Sequence, residues 1–378
     1  MEQKKSDRQN NNQPQNQQQQ EKKQKSSKLK NFEILKKLGQ GSYSSVYKMQ
    51  KKSDNKFYAL KKIKIHKLNK KEQQNSLNEI RFLASLQHRN IIKYFESFYD
   101  QENQCLFIVM EYLDGGDLYQ HINYLRKKNQ RMDEQVIWIY FLQLIYAVKA
   151  LHAVNICHRD IKSANVFLSK DGITAKIGDL NVSKITNQGM CRTQTGTPYY
   201  ASPEVWKDQP YDLKSDVWSL GCLVYEMCMY KTPFRAQGMD KLYKQVQQGD
   251  YTPVVEFYSK DLIDIINEML ILNPQKRPSI FDLLERPQIQ KRLQFLEDAK
   301  VLLAQDPNQT GISSSNPNYT GFTIQDEDLV LLNSIYLPKD FNELDSILPS
   351  PNYDNHRIQK NMIEKQQDDK VEVKGVLV

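Results

Sequence analysis

From Phe32 onward the chain alternates apolar and polar positions in short runs broken by turn residues. Phe32, Ile34 and Leu35 lead into a glycine turn at Gly39 and Gly41, and Val46-Tyr47-Lys48-Met49 follows it. Residues 57–65 alternate and predict a third strand; residues 91–98 and 105–113 predict two more. Short strands with turn signals between them make a small antiparallel sheet. Between the third and fourth strands, Leu77, Ile80, Leu83 and Ala84 mark one face of a helix over residues 68–86. After Asp114-Gly115-Gly116-Asp117 the period lengthens to that of helices. Residues 132–153 and 214–230 carry the strongest pattern, with further helices near 238–248 and 260–270. A sheet-rich part followed by a helix-rich part is an α+β arrangement of two lobes with a cleft between them.

The two ends differ from this middle. Residues 1–30 are rich in Gln, Asn and Lys and nearly devoid of apolar side chains, so the tract is expected to be disordered. Residues 296–378 are rich in Asn, Gln, Ser and Pro except for an apolar island at 328–353. That island is expected to dock on the chain's own surface or on a partner. Its two apolar pieces are broken by Pro338 and Pro349, and no long heptad run accompanies them, which favours a monomer. The formal net charge is +8. Residues 1–30 hold eight Lys/Arg and three Asp/Glu, which is +5, and residues 301–378 hold six and twelve, which is −6. The remaining residues 31–300 therefore carry 8 − 5 + 6 = +9. The total suggests nucleic acid or an anionic membrane. Yet no zinc finger, RNP-like motif or basic region with heptads is present, and neither partner is expected. The apolar run Leu106 to Met110 is too short for a bilayer, and no signal peptide is expected. Five cysteines without CxxC spacing suit buried thiols in a reducing, cytoplasmic compartment.

Candidate chemistry lies at three places. Gly39-Gln40-Gly41-Ser42 is a turn whose backbone can approach phosphates closely. Lys61, in Ala59-Leu60-Lys61, can reach the same phosphates. In His158-Arg159-Asp160-Ile161-Lys162-Ser163-Ala164-Asn165, Asp160 can accept or orient a hydroxyl proton. Lys162 can neutralise a transferring phosphoryl, and Asn165 offers an amide oxygen to a hard cation. Fourteen residues beyond Asn165 stands Asp179, whose carboxylate would hold a second metal. Gly196-Thr197-Pro198-Tyr199-Tyr200-Ala201-Ser202-Pro203-Glu204 and Asp216-Val217-Trp218-Ser219-Leu220-Gly221 complete the series.

In this order, these elements closely resemble the eukaryotic protein kinases over residues 32–289. The resemblance implies the bilobal kinase fold: an N-lobe at 31–113 with a small antiparallel sheet and one long helix, and a helical C-lobe at 114–295. It implies ATP and Mg²⁺ as cofactors and protein Ser/Thr residues as acceptors. Lys61 would contact the α- and β-phosphates and pair with Glu79. Gly39 and Gly41 would cover the phosphates, and Val46, Ala59 and Phe167 would sandwich the base. Met110 would be the gatekeeper, Glu111 and Leu113 would bond adenine through their backbone, and Asp117 would reach the ribose. Asn165 and Asp179 would ligate the metals, Asp160 would be the catalytic base, and Thr197 would tie Lys162 to Asp160. Glu204 and Arg277 would form a buried structural ion pair.

The sequence departs from the family pattern at Ser44 for the third loop glycine, at Leu180-Asn181 after Asp179, and at Ser202. None of these removes a metal ligand, the lysine or the base, so an active enzyme is expected over a catalytically dead scaffold. Ala164–Leu168, Gly178–Lys184 and the paired Tyr199-Tyr200 resemble the NIMA-related branch, in particular its protist and algal members. That likeness implies an association with the cell cycle, the cytoskeleton, basal bodies or cilia. A phosphate on Thr193 is expected to draw Arg159 and Lys184 together and order the activation segment. Tyr94, where kinases often have an aliphatic residue, would either bond the backbone at 179–181 and hold an inactive state, or simply pack.

Overall fold

The computed structural model describes residues 28–70, 72, 73, 76, 80, 86–100, 102–153, 155–179, 198–210, 212–293 and 330–331. Strands along the chain are β1 (Phe32–Gln40), β2 (Ser44–Lys51), β3 (Phe57–Lys64), β4 (Leu86–Gln87), β5 (Tyr94–Asp100) and β6 (Cys105–Glu111). They are followed by β7 (Val166–Leu168), β8 (Ala175–Ile177) and β9 (Val330–Leu331). The described residues divide into two units, one built on residues up to Lys70 with Phe95–Tyr112, the other on Lys71–Tyr94 and Leu113–Leu337.

The first unit is a five-stranded sheet in the order β1-β2-β3-β6-β5. The pairs β1–β2, β2–β3 and β3–β6 are antiparallel. Successive side chains in a strand point to opposite faces, so the register sorts the residues. One face carries Met49, Tyr58, Leu60, Phe107 and Val109, which join Phe32, Phe98 and Cys105 in a buried core. Phe98 and Phe107 stack there with ring centroids 5.2 Å apart. The opposite face carries the glycine turn and Lys61.

The second unit is mainly helical: α1 (Leu118–Lys127), α2 (Glu134–Ala153), α3 (Pro203–Trp206), α4 (Leu213–Met229), α5 (Met239–Gln248), α6 (Lys260–Met269), α7 (Ile280–Leu284) and α8 (Pro287–Gln290). α2 and α4 are apolar around most of their circumference and are buried accordingly. By length and composition α2 could cross a bilayer, a property that unbroken apolar runs do not reveal; 72% of its apolar window is buried inside this unit. α4 starts on a capping box between Asp212 and Ser215, and α6 on Ser259, whose hydroxyl accepts from the Leu262 amide. Trp218 of α4 stacks on Phe234 at 5.3 Å. Gly221 lies where α4 meets α6, and a Cβ there would come within 2.8 Å of Met269 Cβ.

Two expectations shift. The strand over 91–98 begins only at Tyr94, because Asn90–Ile92 lie against β8: Ile177 N donates to Asn90 O at 2.8 Å and Ile92 N to Ile177 O at 2.9 Å. The helix over 68–86 is preceded by a 3-10 turn at Ile65–Lys67, Leu68 is extended, and Leu86 belongs to β4. Helical residues are described at 70, 72, 73, 76 and 80; Glu79 and Leu83 lie outside the described residues. So do residues 1–27 and all of the apolar island except Val330–Leu331. Among the described cysteines, Cys105, Cys222 and Cys228 are buried free thiols and Cys157 is half-buried.

Glu204 and Arg277 meet as expected. Arg277 Nη1 donates to Glu204 Oε1 at 2.8 Å and Nη2 to Oε2 at 3.1 Å. The guanidinium also donates to the carbonyls of Lys214, Ile271 and Leu272 and lies 5.0 Å from the Trp218 ring. Burial works most strongly against the Glu204 charge, but the hydrogen bonds and charge of Arg277 outweigh it and hold the carboxyl below its usual range. Arg277→Ala leaves that carboxylate buried without its partner. It should cost about 3–5 kcal/mol and lower Tm by roughly 10 °C in a thermal melt. A change within error would show that the pair contributes nothing.

Candidate active site

In the second unit, the loop after α2 is held by one buried carboxylate. Asp216, in the first turn of α4, is fully buried. Its Oδ2 accepts from His158 N at 2.8 Å and its Oδ1 from Arg159 N at 2.9 Å. His152, near the end of α2, places Nε2 3.0 Å from Oδ2. Arg159 sits at φ 67°, a left-handed conformation uncommon for a residue with a side chain. The two hydrogen bonds to Asp216 hold it there.

His158 carries the constraint onward. Its Nδ1 accepts from Asp160 N at 3.3 Å, so Nε2 bears the proton and donates to Gly178 O at 3.1 Å. Burial pushes the imidazole below its ordinary pKa, in keeping with this neutral form. Gly178 N in turn donates to Asn165 O at 2.9 Å. A Cβ on Gly178 would fall 2.9 Å from both Ile92 Cγ1 and the Phe167 ring, so the position admits only glycine without repacking. Asp179 follows at φ 57° with an exposed side chain.

Around Asp160 the expected groups converge. Lys162 Nζ donates to Asp160 Oδ2 at 2.7 Å. Asn165 Nδ2 donates to the same oxygen at 3.0 Å and to Asp160 O at 2.8 Å. With its amide nitrogen committed to Asp160, Asn165 offers its carbonyl oxygen to a cation. Carboxylate and amide oxygens are the hard donors that Mg²⁺ takes. Phe167 on β7 packs over Gly178 and bridges to Asp117. Asp117 caps α1, accepting from Gln120 N at 2.8 Å, and burial raises its pKa against those hydrogen bonds. Leu113 is half-buried.

The first unit gathers Gly39, Val46, Ala59, Lys61 and Met110 on one sheet face. Val46 pairs with Lys61, Lys61 with Ile108, and Ala59 with Met110. Gly39 pairs with Val46, and Gly41 N donates to Ser44 O at 2.9 Å to close the turn. A Cβ on Gly39 would meet nothing within 4 Å, so the backbone there is open to approach. Glu111 ends β6 opposite Tyr58. Tyr94 is buried at the start of β5. Glu79, Lys184, Thr193 and Thr197 lie outside the described residues.

Similarity to known proteins can now be set beside this geometry. The family described as "Protein kinase domain" matches residues 32–289. The chain belongs to the protein kinase family. Within it, residues of this chain are 42% identical over 259 positions to the mouse protein named "Serine/threonine-protein kinase Nek5", covering 68% of this chain and 40% of that protein. The human "Serine/threonine-protein kinase Nek2" is 38% identical, covering 70% and 60%. "Probable serine/threonine-protein kinase nek2" of Dictyostelium discoideum is 39% identical, covering 67% and 61%. The chain is therefore a NIMA-related kinase by sequence, matching between two fifths and three fifths of these relatives' length. The sheet-rich and helix-rich units are those of the kinase fold.

Sequence reasoning places Asp216 within a motif but gives it no role. It also misses a second buried set: Tyr200 OH donates to Glu226 Oε2 at 2.5 Å and lies 3.2 Å from Ser163 Oγ. Burial raises the pKa of both Tyr200 and Glu226. The paired tyrosines are the only signal of it in the sequence. Asp216→Asn keeps the shape of the kinase core but turns one acceptor oxygen into a donor facing an N–H. It should cost at least about 2 kcal/mol, a fall in Tm of roughly 4–8 °C, and speed amide exchange at His158 and Arg159. An unchanged melt would remove Asp216 from its central place.

Proposed function

We propose that this kinase transfers the γ-phosphoryl of ATP to Ser or Thr hydroxyls of protein substrates. The observation that carries the reading is the convergence of Lys162 and Asn165 on Asp160, on a loop tied through Gly178 to Asp179. Lys162 and Asn165 fix the rotation of the Asp160 carboxylate, which takes the proton of the acceptor hydroxyl. The bond from the γ-phosphorus to the β-phosphate oxygen breaks, releasing ADP, as the hydroxyl oxygen bonds to that phosphorus. Lys162, beside that oxygen, balances charge on the group in transit. Asn165 and Asp179 would hold Mg²⁺, which when bound neutralises the phosphate oxygens. From the first unit, Lys61 would steady the α- and β-phosphates, and Val46, Ala59 and Met110 would line the base. Thr197 would join Lys162 and Asp160, and Glu79 would pair with Lys61.

Regulation follows the same chemistry. A phosphate on Thr193 would gather Arg159 and Lys184, and Tyr94 would restrain the backbone after Asp179. The NIMA-related likeness supports a cytoplasmic enzyme serving the cell cycle, the cytoskeleton, basal bodies or cilia, and the lack of a long heptad run in the sequence favours a monomer. Localisation of the tagged chain in dividing and ciliated cells tests that part.

Transfer of labelled phosphate from ATP to a casein-like protein is the direct assay. Asp160→Asn should lower kcat by about 10²–10⁴-fold, and Asp179→Ala should abolish transfer while the thermal melt stays intact. Equal transfer by wild type and Asp179→Ala would leave a scaffold. Two further variants address regulation: Thr193→Ala should stay at basal rate after pre-incubation with ATP, and Tyr94→Ala should exceed it. Full activation of Thr193→Ala, or a Tyr94→Ala enzyme that is merely less stable, would remove those roles.

A further inference from the structure

One strand of the second unit comes from the far end of the chain. β9 lies antiparallel on β4, with Leu331 opposite Leu86 and Val330 opposite Gln87. Among the described residues these two strands form a sheet of their own. A two-residue ladder is too short to persist by itself, so its flanks must hold it. Antiparallel pairing brings the residues preceding one strand beside those following the other. In sequence, Asp326, Glu327 and Asp328 precede β9, and Arg89 and Lys93 follow β4. The charges are complementary, as are the −6 of residues 301–378 and the +9 of residues 31–300.

We propose that β4 is a docking edge for an extended segment with an acidic leading end and an apolar centre, and that residues 326–332 of this chain occupy it in cis. This is strand addition, in which backbone hydrogen bonds bind and flanking side chains select. The edge is connected to the loop around Asp179. Three residues past Gln87, Asn90 Nδ2 donates to Gln143 Oε1 at 2.8 Å and to Ala175 O at 2.9 Å, and Asn90 O accepts from Ile177 N. Gln143 Oε1 also accepts from Ala175 N at 2.8 Å. β8 then runs directly into Gly178 and Asp179. A segment seated on β4 therefore stiffens one support of β8, and a partner peptide of the same chemistry could displace it. The proposal rests on the fold and not on the phosphoryl-transfer reading, so either can fail alone.

Hydrogen exchange of the full chain, read by mass spectrometry, tests it. In Val330→Pro/Leu331→Pro, β9 loses its amide donors. The peptide spanning Leu86 and Gln87 should then exchange roughly tenfold faster or more, with a smaller rise at Ile177 and Gly178 and none in α2. A synthetic peptide of residues 324–335, added to that variant, should restore protection. Reversing the acidic triplet (D326K/E327K/D328K) should weaken protection most at low salt. Unchanged exchange at Leu86 and Gln87 in the proline variant would overturn the docking edge. Wild-type protection that fades on dilution would overturn occupancy in cis and assign the strand to a second copy.

Discussion

The arrangement around Asp160 depends on the carboxylate of Asp216. It is the shared acceptor for two consecutive backbone amides and for the ring of His152. A buried carboxylate without partners would be driven to protonate or to pull water inward. Here the donors come from the end of one central helix and from the loop that follows it. The charge thereby ties the end of α2 and the loop after it to the first turn of α4. Asp160, Lys162 and Asn165 inherit their positions from this anchor.

A second anchor is amide rather than charge. Gln143, on the mainly apolar α2, uses its oxygen for Asn90 and Ala175 and its nitrogen for Ile173. A buried amide carries a desolvation penalty unless all its groups are bonded, and this one bonds to two segments at once. It fixes β8 against α2, and with β8 the approach to Asp179. The Asp179 side of the site thus hangs from Gln143, and the Asp160 side from Asp216. The two supports join where His158 donates to Gly178 and where Gly178 donates to Asn165.

The glycine turn, Lys61, the run from His158 to Asn165, and Asp179 are legible in the amino-acid sequence because their chemistry demands particular side chains at short spacings. The strands of the first unit are legible because their apolar runs are short and bounded by turn residues. Burial does not alternate along them: residues 58–60 of β3 and 105–109 of β6 are buried on both faces. Less visible is anything set by long-range pairing. The role of Asp216 depends on a loop 57 and 58 residues away, and the sequence carries no local trace of that contact. Ile91 and Ile92 are apolar enough to pass for strand, yet the backbone of Asn90 and Ile92 bonds to Ile177 of β8. The pairing of β9 has no signal either, since apolar periodicity says that Val330 and Leu331 seek cover but not where.

The two left-handed residues of the site show why the anchors lie beside it. Arg159 and Asp179 each hold a conformation that costs on the order of 1–3 kcal/mol for a residue with a side chain. Glycine at either position would remove the strain and the functional group together. For Arg159 the cost is offset locally, because hydrogen bonds to a charged acceptor contribute about 1.5–3 kcal/mol each and its own amide donates to Asp216. Asp179 has Gly178 before it, tied on both its amide and its carbonyl, so its turn is imposed by the residue that precedes it. The strain is therefore tolerated only while Asp216, His158 and Gly178 remain bonded as one set. It follows that a change at any of the three should be felt first as a displaced Asp160 or Asp179, before it is felt as a loss of the fold.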